Sequence, residues 1–187
     1  PVLSYTVRHL KTSAGVMITA SHNPMEYNGY KAYNAEGSQI LDETADKILG
    51  HIEEHPDFFE ISRIDFEKGL KEGIIEWVPE SVIEDYVKEI LACTINEDID
   101  KDINIVYTPL NGTGNKLVRR ILNERGFKNI HVVPEQENPD PDFTTVGYPN
   151  PEMPAAFEYS ERLGKKVNAD LLLATDPDAD RCAVEIN

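Results

Sequence analysis

Apolar and polar positions alternate most regularly in the second half of the chain. Short apolar runs at 103–107, 130–133 and 171–174 read as strands, while helical spacing marks 115–125, stopped by Gly126, and 154–163, with Gly164 beyond it. Strands separated by helices predict a parallel, doubly wound sheet whose ligands gather at the carboxyl ends of its strands. In the first half, 15–20 reads as a buried strand closed by Asn23-Pro24, and the pair Asn28-Gly29 followed by alternating aromatics reads as a hairpin return. Ala45, Ile48, Leu49 and Ile52 predict a helix over 42–54 with Asp42 as its cap. Val82, Ile83, Tyr86, Val87, Ile90 and Leu91 predict another, with Ser81 near its N-cap and Glu84-Asp85 in its first turn. Between them, 55–79 is charged and Gly-punctuated and reads as an edge or linker, with Glu76-Trp77-Val78 as a short strand. The fold class is therefore α/β.

Composition narrows the partners. A net charge of −16 over 187 residues excludes a general nucleic-acid or anionic-membrane surface, because both need clustered Lys and Arg. A phosphate must then be met locally, by a metal or a few placed cations. No apolar run approaches the roughly 20 residues that span a bilayer, and the opening Pro1-Val2-Leu3-Ser4 is not a signal peptide, so a cytoplasmic location is expected. Cys93 and Cys182 lack metal-site spacing and read as two buried free thiols. The acidic stretch 97–102 reads as a solvated loop. Pro1 is no initiator and 183–187 reads as a strand in progress, from which a fragment of a longer protein is expected.

Two short runs carry the chemistry. Asp176, Asp178 and Asp180 stand at alternate positions, so a curled loop turns three carboxylates toward one point, a donor set that suits Mg²⁺ or Ca²⁺. An EF-hand is excluded by Arg181 at its sixth position, Asn187 at its twelfth and a strand pattern before it. Arg181 beside the three anions is suited to grip a phosphate oxygen. Ser21, in Thr19-Ala20-Ser21-His22-Asn23-Pro24, sits in a turn beyond a strand, where it is either a nucleophile or a serine bonded to its own backbone. The flanking residues form no G-x-S-x-G elbow. A transferring serine needs a base or a metal, and His22 and Lys31 are the nearest candidates, Lys31 only if its pKa were lowered. The turn Thr108-Pro109-Leu110-Asn111-Gly112-Thr113-Gly114 is not a P-loop and is explained equally by structural glycines.

These runs, with Asn28-Gly29-Tyr30-Lys31 and in this order, resemble the α-D-phosphohexomutases, the phosphoglucomutase and phosphomannomutase superfamily. The resemblance implies two α/β domains with mixed or parallel sheets, truncated at both ends. Residues 1–79 would be the latter part of domain one, with the phosphoserine loop, and 80–187 domain two, with the metal loop. It implies Ser21 as the phosphoserine and, with Asp176, Asp178 and Asp180, a ligand of Mg²⁺. Arg181 matches the arginine on the phosphoserine, and His22 and Lys31 match acid-base and phosphate contacts. The implied reaction interconverts glucose 1-phosphate and glucose 6-phosphate through a sugar bisphosphate, with glucose 1,6-bisphosphate as activator. Tyr30 and Pro177 resemble the phosphoglucomutase and phosphopentomutase branch; phosphopentomutase, phosphomannomutase and a non-catalytic phosphosugar-binding module are the alternatives. Domains three and four of the parent are absent from the sequence, so the chain alone is expected to turn over little. Phosphosugar is the expected partner, without nucleic acid or membrane.

Overall fold

The computed structural model describes residues 1–55 and 57–186. They form two compact units, one of residues 17–31 and 86–186 together with Pro1, the other of residues 2–16, 32–55 and 57–85.

The first unit is built on a four-stranded sheet of order β4-β3-β5-β6. Its strands are β3 (Ile105–Thr108), β4 (Ile130–Val132), β5 (Leu171–Thr175) and β6 (Cys182–Ile186). Strand β3 pairs in parallel with β4 and β5, whereas β5 and β6 are antiparallel, with Thr175 opposite Cys182. The sheet is thus mixed, because the six residues after β5 form a turn too short for the crossover a parallel partner needs. Ile105, Val106, Tyr107 and Thr108 are all at most 1% exposed, as a central strand covered on both faces must be. The core gathers Val106, Leu110, Val133, Ala156, Phe157, Ala169, Leu172 and Ala174.

Helices α5 (Gly114–Glu124) and α6 (Glu158–Val167) follow the predicted spacing with shifted ends. Pro154–Phe157 is a separate 3-10 turn, since a proline-led start satisfies shorter bonds before the helix proper begins. Gly164 does not stop α6. It lies inside the helix because a Cβ there would come 2.9 Å from Leu172 Cδ2, and the stop falls to Asn168, left-handed at φ 51°, whose N–H returns to the Gly164 carbonyl.

The second unit carries α1 (Val2–Leu10), α2 (Asp42–Glu53) and α3 (Phe66–Lys71). Gly15 lets the chain pass α1, where a Cβ would meet Val7 Cγ2 at 2.6 Å. Asp42 is the first residue inside α2 rather than its cap; Leu41 holds the cap position and supplies no side-chain bond. Helix α4 (Glu80–Ala92) begins before Ser81, which therefore lies in its first turn and not at its N-cap. The expected strand at 76–78 is absent, and the expected linker holds α3, capped by Asp65 accepting from the Lys68 N–H at 2.9 Å. Phe66 instead meets Trp77 edge-on at 6.0 Å. Pro56, within that segment, and Asn187, at the end of the expected last strand, lie outside the described residues. Both cysteines are exposed, not buried: Cys93 stands just beyond the end of α4 and Cys182 is the first residue of β6.

Strands β1 (Ala14–Ile18) and β2 (Tyr30–Asn34) form a two-stranded sheet. The connection between them, which belongs to the first unit, is a long loop rather than a two-residue turn, and it carries Ser21.

Candidate active site

The aspartate loop is wrapped around its own first residue. Asp176 is fully buried, and its Oδ1 accepts from the N–H groups of Asp180 at 3.1 Å and Arg181 at 3.0 Å, while Ala179 closes the turn at φ 55°. A second turn, 109–114, braces it from the end of β3. The Thr113 N–H and Oγ1 both donate to the Pro177 carbonyl, at 2.8 and 3.1 Å, and Gly112 lies so close that a Cβ would sit 2.4 Å from Pro177 Cα. The glycines of Thr108 to Gly114 are structural and serve the acidic loop. Below them the Tyr107 hydroxyl meets Thr175 Oγ1 at 2.9 Å, and burial pushes the Tyr107 phenol up to about 12.

The serine turn lies over this loop within the same unit. The Ser21 N–H donates to Thr19 Oγ1 at 2.7 Å, the Asn23 N–H to the Ala20 carbonyl, and the Thr19 N–H to the Gly29 carbonyl. Ser21 is left-handed at φ 55°. Its Oγ donates to Asp176 Oδ2 at 3.2 Å and lies 3.3 Å from His22 Nδ1. Lys31, on β2, places its ammonium 2.8 Å from Asp178 Oδ2 and 2.7 Å from Asp180 Oδ2. Ser21, His22 and Lys31 are therefore brought to the three aspartates. The Arg181 guanidinium pairs with Glu152 Oε1 at 3.0 Å, and only its backbone N–H bonds within the loop. Glu152 and Tyr148, whose ring meets the His22 ring edge-on at 5.6 Å, carry no sequence signal beyond the flanking prolines 149 and 151.

Electrostatics separate the carboxylates. Burial, then the neighbouring charges of Asp178 and Asp180, push Asp176 up to about 6 against the bonds from the Arg181 backbone. Burial acts the same way on Asp178, but the Lys31 hydrogen bond and charge outweigh it and hold that carboxyl below its ordinary value. For Lys31, burial opposes the charge and the two aspartates overcome it, so its pKa is raised, the opposite of what a base requires.

A cation fits these residues. Carboxylate oxygens of Asp176, Asp178 and Asp180 lie within 4.8 Å of one another, Asp178 Oδ1 is buried without a partner, and the Lys31 ammonium already stands between two of the carboxylates as a stand-in ion.

The fold and site define a class: an α/β protein that presents a serine hydroxyl to a cluster of three carboxylates. Residues 84–187 match the model of phosphoglucomutase/phosphomannomutase alpha/beta/alpha domain II, and residues 1–57 match that of domain I. The chain belongs to the phosphoglucomutase/phosphomannomutase family. It is 41% identical over 181 residues to a phosphoglucomutase of Staphylococcus saprophyticus and 40% over 184 residues to one of Staphylococcus aureus, matches that take in 97% and 98% of this chain. It spans about a third of the length of these curated relatives, 33% in both. The crystal structure of a Thermus thermophilus protein described as a phosphomannomutase superposes with a TM-score of 0.73 at 27% identity, over 100% of this chain and 39% of that one.

Proposed function

We propose that the chain is the phosphoserine and metal-loop portion of a phosphoglucomutase, with residues 1–79 from the enzyme's first domain and 80–187 its second. The parent would interconvert α-D-glucose 1-phosphate and glucose 6-phosphate, with glucose 1,6-bisphosphate as activator and further domains reading the sugar. The glucose relatives, near 40% identity, favour this over phosphomannomutase or phosphopentomutase. The observation that carries the reading is Ser21 Oγ at 3.2 Å from Asp176, within the carboxylate cage.

Transfer breaks the bond between phosphorus and Ser21 Oγ and forms one to the free sugar hydroxyl, whose proton is balanced by protonation of Oγ. His22 Nδ1, 3.3 Å from Oγ, is suited to pass that proton. Asp176, Asp178 and Asp180, with Ser21, would hold Mg²⁺, which when bound supplies positive charge to phosphate oxygens. Lys31 and Arg181 add fixed cations, so a chain of net −16 still neutralises a phosphate. A cytoplasmic location is part of this proposal; among the described residues no helix is long and apolar enough to cross a membrane.

Intact-mass analysis after incubation with glucose 1,6-bisphosphate and Mg²⁺ tests it. One phosphate gained at Ser21 and lost in Ser21→Ala is expected. Phosphate taken up equally by Ser21→Ala would sink the reading, and uptake without release to glucose 1-phosphate in the parent would favour a non-catalytic binding module. The chain alone is expected to isomerise glucose 1-phosphate slowly or not at all.

A further inference from the structure

One loop outside the two motifs touches two of the site's side chains. Residues 148–152 read Tyr-Pro-Asn-Pro-Glu. The Tyr148 ring stands edge-on to the His22 ring, centroids 5.6 Å apart at 72°, and Glu152 Oε1 takes the Arg181 guanidinium at 3.0 Å. The loop is stiff. Pro149, Asn150 and Pro151 are buried between its two working ends, and Asn150 Oδ1 accepts from the Glu152 N–H at 3.0 Å. Its carboxyl end runs into the 3-10 turn Pro154–Phe157, where Ala156 and Phe157 lie in the core.

We propose that Tyr148 and Glu152 are positioning residues for phosphoryl transfer at Ser21, Tyr148 setting the plane of the His22 imidazole and Glu152 holding the Arg181 guanidinium. The inference rests on the reading of Ser21 as phosphate carrier. Whether His22 Nδ1 points at Ser21 Oγ depends on ring rotation, and an edge-on aromatic restricts that rotation. The long Arg181 side chain would otherwise sample many rotamers, and a carboxylate accepting from its Nη1 selects fewer. The Arg181–Glu152 pair is largely solvent-exposed, and such pairs add little stability. Its contribution is orientation, and that separates the proposal from a structural role.

The test uses this chain, labelled with ¹³C-histidine and ¹⁵N-arginine, with His22 and Arg181 signals assigned from His22→Gln and Arg181→Lys. Tyr148→Ala is expected to shift the His22 ring signals, and Tyr148→Phe to restore them. Glu152→Gln is expected to move the Arg181 Nη–H signals, the side of the guanidinium that donates to Glu152, to those of a free arginine, without a change in melting temperature. The rate of phosphate uptake at Ser21 is expected to fall about tenfold to a hundredfold in Tyr148→Ala and Glu152→Gln, the scale of a misplaced reacting group. Should Tyr148→Ala fail to fold, Tyr148→Leu keeps the bulk and removes the ring. Unchanged His22 signals without the ring, an unchanged Arg181 signal in Glu152→Gln, or unchanged uptake rates would each overturn the proposal. No uptake by the unsubstituted chain would instead overturn the reading of Ser21, leaving the resonances to decide the positioning.

Discussion

The aspartate loop and the serine turn face each other in one unit but are held in different ways. The aspartate loop hangs between two paired strands, curls on a buried carboxylate and is braced from behind by the Gly112–Thr113 turn. The serine turn is bonded mainly to itself, through Thr19, Ala20 and Pro24, and its residues are half-buried or exposed. Under the proposed function, a braced cage and a lightly held hydroxyl suit a carrier whose phosphate is presented to the same charges in both directions of transfer.

The largest expected effect separates the two through their glycines. At Gly112 a Cβ would meet Pro177 Cα at 2.4 Å and the Pro177 and Pro109 carbonyl oxygens at 2.5 and 2.8 Å, all backbone, so Gly112→Ala must displace the loop. It is expected to cost about 2–3 kcal/mol in urea unfolding, with at least about a tenfold loss of Mg²⁺ affinity by calorimetry. At Gly29, in the serine turn, the nearest atom is the Thr19 carbonyl oxygen at 3.4 Å, and Gly29→Ala should cost under about 1 kcal/mol. Equal costs would erase the distinction.

Next come the charges of the cage. Asp178→Asn removes a proposed ligand and a partner of Lys31, and should weaken Mg²⁺ at least about tenfold while leaving the fold intact. Because Asp176 is pushed up to about 6, protons compete with the metal; affinity should decline as pH falls through about 6, with proton release on binding. For the metal-free chain the sign reverses. The folded state holds the Asp176 proton more tightly than the unfolded one, so its contribution to stability is present at acid pH and is lost as pH rises from the ordinary carboxylate value to about 6. Asp176→Asn, which keeps an acceptor for the loop N–H groups, should therefore be more stable than the unsubstituted chain near pH 8 in EDTA and lose that advantage near pH 4, as thermal melts would show.

Much of this site was legible because its chemistry is local in sequence. Alternate aspartates after a strand, and a serine beyond another strand, are short-range patterns, and the strands themselves show as apolar runs. What stayed hidden depends on tertiary approach. Gly164 looked like a helix stop, and only Leu172 beneath it explains a glycine inside α6. Helix α3 was missed because Gly69 and its charges read as linker, whereas Ile75, which a Cβ at Gly69 would meet at 2.5 Å, accounts for that glycine. Tyr148 and Glu152 carry no period at all; they matter through His22 and Arg181, far away in the chain. Lys31 was readable as a site residue, but the rise in its pKa comes from which aspartates it reaches.

The smallest effect probes the feature the two loops share. Each turns on one non-glycine residue at φ 55°, Ser21 in one and Ala179 in the other. The left-handed region costs an L-residue about 1–2 kcal/mol, which glycine relieves, while glycine's freedom in the unfolded chain returns about 0.4–1 kcal/mol of that. Ala179→Gly should thus gain about 0.5 kcal/mol in urea midpoint analysis. Ser21→Gly should gain less, because it also forfeits the hydroxyl's contacts to Asp176 at 3.2 Å and His22 at 3.3 Å. If both substitutions gained equally, the Ser21 hydroxyl would contribute nothing to the folded state, and its strained position over the carboxylates would be left to the proposed transfer chemistry alone.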